Sequence, residues 1–179
     1  MFDKLIDFVL NIWYDLVPFA VVDQWEEGIY LRFGRFNKVV KPGLVLKIPF
    51  VDKLVKTEVV TQTVQLHPQT LTTLDEHNIV LKSIVRYHVH DVKKYLLSVM
   101  HASDVLVDTT QGIIRDVVEI TNWYDLENIN SVITNKVKEI VEDKWGITIE
   151  LVTLTDLGIV NTYRLMTDNN KTLPIQNQD

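Results

Sequence analysis

The 179-residue chain has no cysteine, a formal net charge of −6 and a pI near 5.3. Disulfides, thiolate zinc sites and cysteine nucleophiles are therefore excluded, and the acidic balance argues against nucleic acid as a partner, because phosphate binding needs a basic surface. A hydrophobic fraction of 46% with 23% charged residues is typical of a folded domain with one sizeable core, or of two small subdomains sharing one.

The first 22 residues predict an amphipathic helix. Their apolar positions recur at helical spacing: Phe2, Leu5, Ile6, Val9, Ile12, Trp13, Leu16 and Val17. Asp15 interrupts the apolar run and Pro18 bends or ends the helix, whereas crossing a bilayer takes about 20 mostly apolar residues. We therefore expect a helix lying in the membrane interface, with Phe8 and Phe19 also contacting lipid. The alternative is that this apolar face packs on its own domain or on a neighbouring subunit.

This segment lacks the features of a cleaved signal peptide. Asp3 and Asp7 stand where a basic cluster is usual, and no small-residue cleavage site follows them. We expect membrane association without a cleaved leader, on the cytoplasmic face.

Residues 26–52 predict two strands joined by a loop. Alternation of Ile29, Leu31 and Phe33 with Tyr30 and Arg32 gives the first strand, with one buried face, and alternation through Leu44, Leu46 and Ile48 gives the second. Gly34 and the pair Pro42-Gly43 mark turns, and Pro49 ends the second strand. Basic residues stand at positions 32, 35, 38 and 41, as a solvated strand face or as a contact for anionic lipid. No nucleophile with a base, carboxylate pair or phosphate-binding loop occurs in this stretch, so we predict neither catalysis nor a cofactor.

The segment 53–90 predicts extended structure that ends in a long antiparallel hairpin. Its first strand runs from Gln69 to Leu74, a polar turn covers 75–78, and alternation from Ile79 to Val89 gives the second strand. His88 and His90 share a face of that strand, and His77 and Asp91 belong to the same segment. A metal site needs at least three converging ligands, which spacing alone does not establish, so we interpret these histidines as surface imidazoles and predict no metal site.

The remainder predicts helices packed on a returning strand. Asp91 caps a short helix, and a longer one follows from Ser103 to Ile120, with an acidic outer face that is either solvated or a docking surface for a basic partner. A third helix spans 126–144, and Gly146 suits the position after its end. The inward positions predicted for these two long helices are Leu106, Ile113, Ile114, Val117 and Val118, then Leu126, Ile129, Ile133, Val137, Ile140 and Val141. The final strand places Ile147, Ile149 and Leu151 opposite Val152 and Leu154, and residues 161–179 form a polar tail.

Short motifs along the chain resemble the SPFH, or band-seven, family, which includes stomatin, prohibitin, flotillin and HflK/HflC. In the first half they are Glu27 to Arg35, Pro42-Gly43-Leu44, Pro49-Phe50-Val51-Asp52, and then Thr73, Asp75, Ile79, Leu81, Val85 and Tyr87. In the second half they are Arg115-Asp116, Trp145-Gly146-Ile147, Val152, Leu154, Asp156 and Leu157. The resemblance covers residues 20–158.

The resemblance implies an α+β, SPFH-like fold and a non-catalytic role. We divide the chain into a membrane-associating segment at 1–22, a strand-rich first subdomain at 23–66, a second subdomain of a hairpin and two helices at 67–160, and the tail at 161–179. The resemblance further implies a homo-oligomeric scaffold on membrane lipid that organises or sequesters an integral membrane protein, such as a protease or channel. Because the tail lacks heptads, we expect assembly through the domain itself and the membrane helix. The alternative function is a soluble shell or adaptor domain whose N-terminal helix packs on a protein partner.

Overall fold

The computed structural model describes residues 19–160, which form an α+β domain as predicted. Its strands are β1 Phe19–Val22, β2 Glu26–Arg32, β3 Arg35–Val40, β4 Gly43–Leu46, β5 Asp52–Glu58, β6 Gln62–Gln65, β7 Gln69–Thr72, β8 Asn78–Val89 and β9 Ile147–Ile159. Its helices are α1 Val92–Ser98, α2 Ala102–Val118 and α3 Asn130–Trp145, with a 3-10 helix at Trp123–Asn128.

The first part of the described chain holds one more strand than predicted. Phe33 and Gly34 both have positive φ, 50° and 76°, which is the geometry of a two-residue hairpin turn. The chain therefore reverses at once, and β3 pairs with β2 in the sheet β3-β2-β5. The strand predicted to follow the loop is β4, and it pairs with β1 in a separate two-stranded ribbon. The prediction of only two strands in 26–52 is wrong because Gly34 closes a tight hairpin.

Strand β2 belongs to two hydrophobic cores at the same time. Ile29 is buried in the large core against the helices, whereas its neighbour Tyr30 is buried in a small core with Val22 and Val40. Successive side chains of a strand point to opposite faces, so one strand can fill both cores. The two parts of the described chain are thereby packed on a common strand.

The larger sheet is built on β8, which pairs with β6 and β7 on one side and with β9 on the other. The predicted alternation along β8 is confirmed, because its apolar odd-numbered positions are buried: Ile79, Leu81, Val85, Tyr87 and Val89. On β9, Leu151 was predicted to share a face with Ile147 and Ile149. This prediction is wrong, because Leu151 is 39% exposed while Val152 is fully buried. The pairing shifts between Arg86 and Tyr87, and this bulge reverses the facing of the residues that follow.

The helices pack on the buried face of this sheet. All five positions predicted to point inward on α2 are buried, and its predicted acidic face is exposed. The N-cap of α1 is confirmed, since Asp91 Oδ1 accepts a hydrogen bond from the Lys94 N–H at 3.0 Å. Ile140 is 41% exposed, contrary to the prediction. Helix α3 is turned so that the Thr134 side faces β9, and at about 100° per residue this leaves Ile140 at the rim.

Side chains of α3 cover the outer edge of β9. The backbone N–H groups of Ile149, Val152 and Leu154 donate hydrogen bonds to Glu142 (2.9 Å), Thr134 (3.0 Å) and Asn130 (3.1 Å), respectively. An unpaired strand edge is a template for aggregation, and these bonds occupy it along the length of the helix. The helix therefore protects the sheet edge as well as filling the core.

Replacing Thr134 by valine is expected to lower the free energy of unfolding by about 1–3 kcal/mol, because it leaves the buried Val152 N–H without an acceptor. Urea denaturation measures the effect. Serine at the same position keeps the hydroxyl and is the matched control. A loss as large in the serine variant as in the valine variant would contradict the hydrogen-bond explanation.

Candidate membrane-contact surface

The ribbon of β1 and β4 exposes an apolar face. Phe19 pairs with Leu46 and Val21 pairs with Leu44, and all four side chains are at least 48% exposed. Directly opposed residues of antiparallel strands share a face, so these side chains form one patch. The other face of the ribbon packs on the small core through Val22 and Val45. A short ribbon that is apolar on both faces has one face without a protein partner among residues 19–160.

Two exposed phenylalanines stand on neighbouring loops. Phe33, in the β2–β3 turn, is 78% exposed, and Phe50, in the β4–β5 loop, is 79% exposed. The Phe33 N–H donates to the Val51 carbonyl at 3.0 Å, which ties the two loops together. Both phenylalanines have positive φ, 50° and 64°, a conformation that is strained for a bulky side chain. The surrounding structure therefore fixes both rings on the outside of the domain.

The Asp52 carboxylate anchors these loops. It accepts hydrogen bonds from Arg32 Nε at 2.9 Å, the Ile48 N–H at 2.7 Å and Tyr30 Oη at 2.6 Å, and its side chain has no exposed surface. Tyr30 Oη also lies 2.9 Å from the carbonyl oxygen of Leu46. The hydrogen bond from the Arg32 guanidinium, followed by those from Tyr30 and Ile48, holds the pKa of Asp52 well below its usual range. One carboxylate thus joins β2, β5 and the loop that carries Phe50.

Most of the residues predicted to contact the membrane lie outside the described part of the chain. Phe2, Leu5, Ile6, Phe8, Val9, Ile12, Trp13, Leu16 and Val17 precede it, so their contact with lipid stays a prediction. Phe19 is described, and it is the first residue of β1, opposite Leu46 in the exposed patch. The described part of the chain therefore begins in the exposed patch of the ribbon.

The structure adds apolar residues that the sequence pattern did not assign to this surface. Phe33 was predicted to share a buried strand face with Ile29 and Leu31, but it lies in the turn and is exposed. Leu44 and Leu46 were predicted to lie in a strand, but the pattern did not show which face of that strand was free. The signal that could have located the phenylalanine tips is a large apolar side chain beside a turn residue, at Phe33-Gly34 and at Pro49-Phe50.

The basic residues of the first hairpin are not equivalent. Arg32 is bound to Asp52, and Lys38 Nζ lies 5.8 Å from the centre of the Tyr30 ring. Arg35 and Lys41 form no salt bridge within 19–160, and neither do Lys47 and Lys53 further along. Arg35 and Lys41, which belong to the basic pattern of the sequence, are therefore available to an anionic surface. Lys47 and Lys53, which do not belong to that pattern, are available as well.

His88, in β8, and His90, just after its end, contact side chains of β9. His88 Nδ1 lies 3.1 Å from Glu150 Oε1, and His90 Nδ1 lies 3.0 Å from Thr148 Oγ1. The Thr61 hydroxyl also donates to Glu150, and this bond, followed by the one from His88, lowers the pKa of Glu150. Across the described chain no three potential metal ligands converge.

The helices between residues 19 and 160 are all too short or too polar to cross a bilayer.

The α+β fold described above is that of an SPFH domain. The sequence profile of the SPFH domain / Band 7 family matches residues 20–171, and the chain belongs to that family. An uncharacterised protein of Methanocaldococcus jannaschii is 30% identical over 141 residues, 77% of this chain and 71% of that protein. The family resemblance inferred from the motifs is thereby confirmed.

Two named relatives are longer than this chain. Stomatin-like protein 3 of Mus musculus is 23% identical over 87% of the chain, which spans 55% of that protein. The modulator of FtsH protease HflK from Escherichia coli is 31% identical over 56% of the chain and 24% of its own length. The similarity therefore concerns the SPFH domain and covers only part of each relative.

Proposed function

We propose that this chain is a non-catalytic scaffold that binds a lipid bilayer through the β1–β4 ribbon face, the Phe33 and Phe50 tips and the amphipathic segment before them. The observation that carries the proposal is that the apolar side chains of the ribbon face and both phenylalanine tips are exposed, and that hydrogen bonds hold the two loops that carry the tips. Exposed apolar patches of this kind are typical of surfaces that bind a membrane or another protein. Aromatic side chains are favoured where a protein meets the membrane interface.

Assembly on the bilayer is part of the same proposal. Weak lipid contacts of single subunits combine into strong attachment when the subunits are linked, because each further contact forms at high effective concentration. Head-to-tail contacts between identical domains generate a ring when the rotation closes. The name of the E. coli relative, a modulator of a protease, supports an integral membrane protein such as a protease as the partner that the scaffold organises or sequesters.

Replacing Leu44 and Leu46 together by serine is expected to reduce binding to vesicles of neutral phosphatidylcholine about thirtyfold. Removing two leucines from the acyl boundary costs roughly 2 kcal/mol when each is only partly inserted. Flotation of the full chain with vesicles in a density gradient measures the effect.

The matched control replaces Ile120 and Tyr124 by serine. Both are also exposed apolar residues, but they lie near the β7–β8 turn, at the other end of β8 from the first subdomain. This variant is expected to float like the parent chain. Equal flotation of the ribbon variant and the parent would overturn the proposal, and it would favour a soluble adaptor whose apolar face binds protein.

A further inference from the structure

The two phenylalanine tips enclose a recess that also contains cations. The recess has a volume of about 460 Å³ and lies between Phe33 and Phe50, with Lys47 and Lys53 in its lining. Lys53 pairs across the sheet with Leu31, one residue before Arg32, so its position is fixed by β2 and β5. Lys47 directly follows β4 and precedes the loop that carries Phe50. Phenylalanine and lysine residues therefore line the same opening.

The charge of this recess is opposite to that of the chain as a whole. The chain has a net charge of −6, but neither Lys47 nor Lys53 forms a salt bridge with any residue of 19–160. The carboxylate in the lining, Asp52, is bound by Arg32, Tyr30 and the Ile48 N–H, and its side chain is closed to solvent. Two lysines thus face the opening without a compensating carboxylate, which favours an anion as occupant.

We infer that this recess binds the phosphate headgroup of an anionic phospholipid. The inference rests on the proposed membrane function and specifies the lipid that the surface prefers. An interfacial protein segment buries its apolar side chains about 5–10 Å deep, so phenylalanines at the acyl boundary place adjoining lysines at the level of the phosphates. Lysine side chains reach that level readily, because their apolar stems pack beside the rings while the amine stays in the polar layer.

The exposed rings favour a phospholipid over a free phosphate ion. An inorganic phosphate would contact the amines but would leave both phenylalanines in water. A phospholipid in a bilayer satisfies both features, because its acyl chains accept the rings and its headgroup accepts hydrogen bonds from the amines. The negative surface potential of a bilayer containing anionic lipid also attracts basic residues near the surface.

The test compares two vesicle compositions, phosphatidylcholine alone and phosphatidylcholine with added phosphatidylserine, using flotation of the full chain. The parent is expected to bind the phosphatidylserine vesicles at least tenfold more tightly. Replacing Lys47 and Lys53 together by glutamine is expected to abolish this preference, while binding to phosphatidylcholine alone stays within about twofold of the parent.

The control replaces Lys136 and Lys138 of α3 by glutamine, which changes the net charge by the same amount at another surface. This control is expected to keep the preference for phosphatidylserine. Equal loss of preference in both variants would overturn the inference, because binding would then depend on net charge alone. Displacement from phosphatidylserine vesicles by inorganic phosphate, at an ionic strength matched with chloride, would also overturn it. If the proposed function itself were wrong, the parent chain would bind neither kind of vesicle, and this result differs from a loss of the preference for phosphatidylserine.

Discussion

Replacing Gly146 by alanine is expected to lower the free energy of unfolding by about 2–4 kcal/mol, from strain at positive φ together with overpacking. Gly146 ends α3 with a φ of 70°. A Cβ atom at this position would lie 2.4 Å from the Asp91 carbonyl oxygen and 2.8 Å from Lys94 Cβ. The Gly146 carbonyl also accepts hydrogen bonds from the N–H groups of His90 and Asp91. Any movement that relieves the clash therefore disturbs the start of α1. Urea denaturation followed by circular dichroism measures the change.

Gly112 provides the matched control for this substitution. It lies inside α2, has no positive φ, and an added Cβ would meet no atom within 4 Å. Alanine at this position is expected to raise the free energy of unfolding by roughly 0.5–1 kcal/mol, because glycine is a poor helix former. If the two alanine variants were equally stable, the close approach of α3 to α1 at Gly146 would not be as the structure shows it.

Replacing Asp52 by asparagine is expected to destabilise the first subdomain and to weaken vesicle binding at neutral pH. The substitution keeps the size of the side chain but removes the charge that binds Arg32, and it weakens the acceptor for Tyr30 and the Ile48 N–H. The Phe50 loop then loses the anchor that holds it beside the Phe33 turn. Flotation with phosphatidylcholine vesicles and thermal unfolding measure the two effects.

The same carboxylate predicts how stability depends on acid. The pKa of Asp52 in the folded protein is lower than in the unfolded chain, where it is near 4. The unfolded state therefore takes up a proton first, so the contribution of Asp52 is fully present above about pH 4 and is lost as the pH falls toward the folded pKa. The asparagine variant is expected to lose less stability than the parent between about pH 5 and pH 2. Parallel acid-unfolding curves for the two proteins would contradict this role of Asp52.

The large sheet and its helices could be predicted because their patterns are long. Strand β8 alternates over 12 residues, and the inward positions of α2 recur over more than three turns, so each element shows which face it buries. The predictions of buried positions are wrong where a neighbouring element changes which side chains are exposed. A bulge in β9 exposes Leu151, and the hydrogen bonds from β9 to α3 rotate Ile140 to the rim. Neither effect is visible in the local sequence.

The candidate site was only partly predictable for a related reason. Strand β1 has four residues and pairs with β4, more than twenty residues along the chain, so no local pattern shows that they share an apolar face. The exposure of Phe33 depends on a tight turn that starts with phenylalanine, where asparagine or glycine is usual. The amphipathic pattern before Pro18 predicts a membrane-contacting helix, which stays a prediction, and the described domain begins with a strand of that ribbon.

Because β2 is buried in both cores, the part that carries the ribbon and the part that carries the helices are expected to move as one rigid body. Strand β8 spans roughly 36 Å from Val89 to Asn78 at about 3.3 Å per residue. A change of about 10° in how the ribbon end sits on a bilayer would carry the opposite end of β8 through roughly 6 Å. If the ribbon end binds a bilayer as proposed, local curvature of the membrane is expected to displace the exposed side chains of Ile120 and Tyr124.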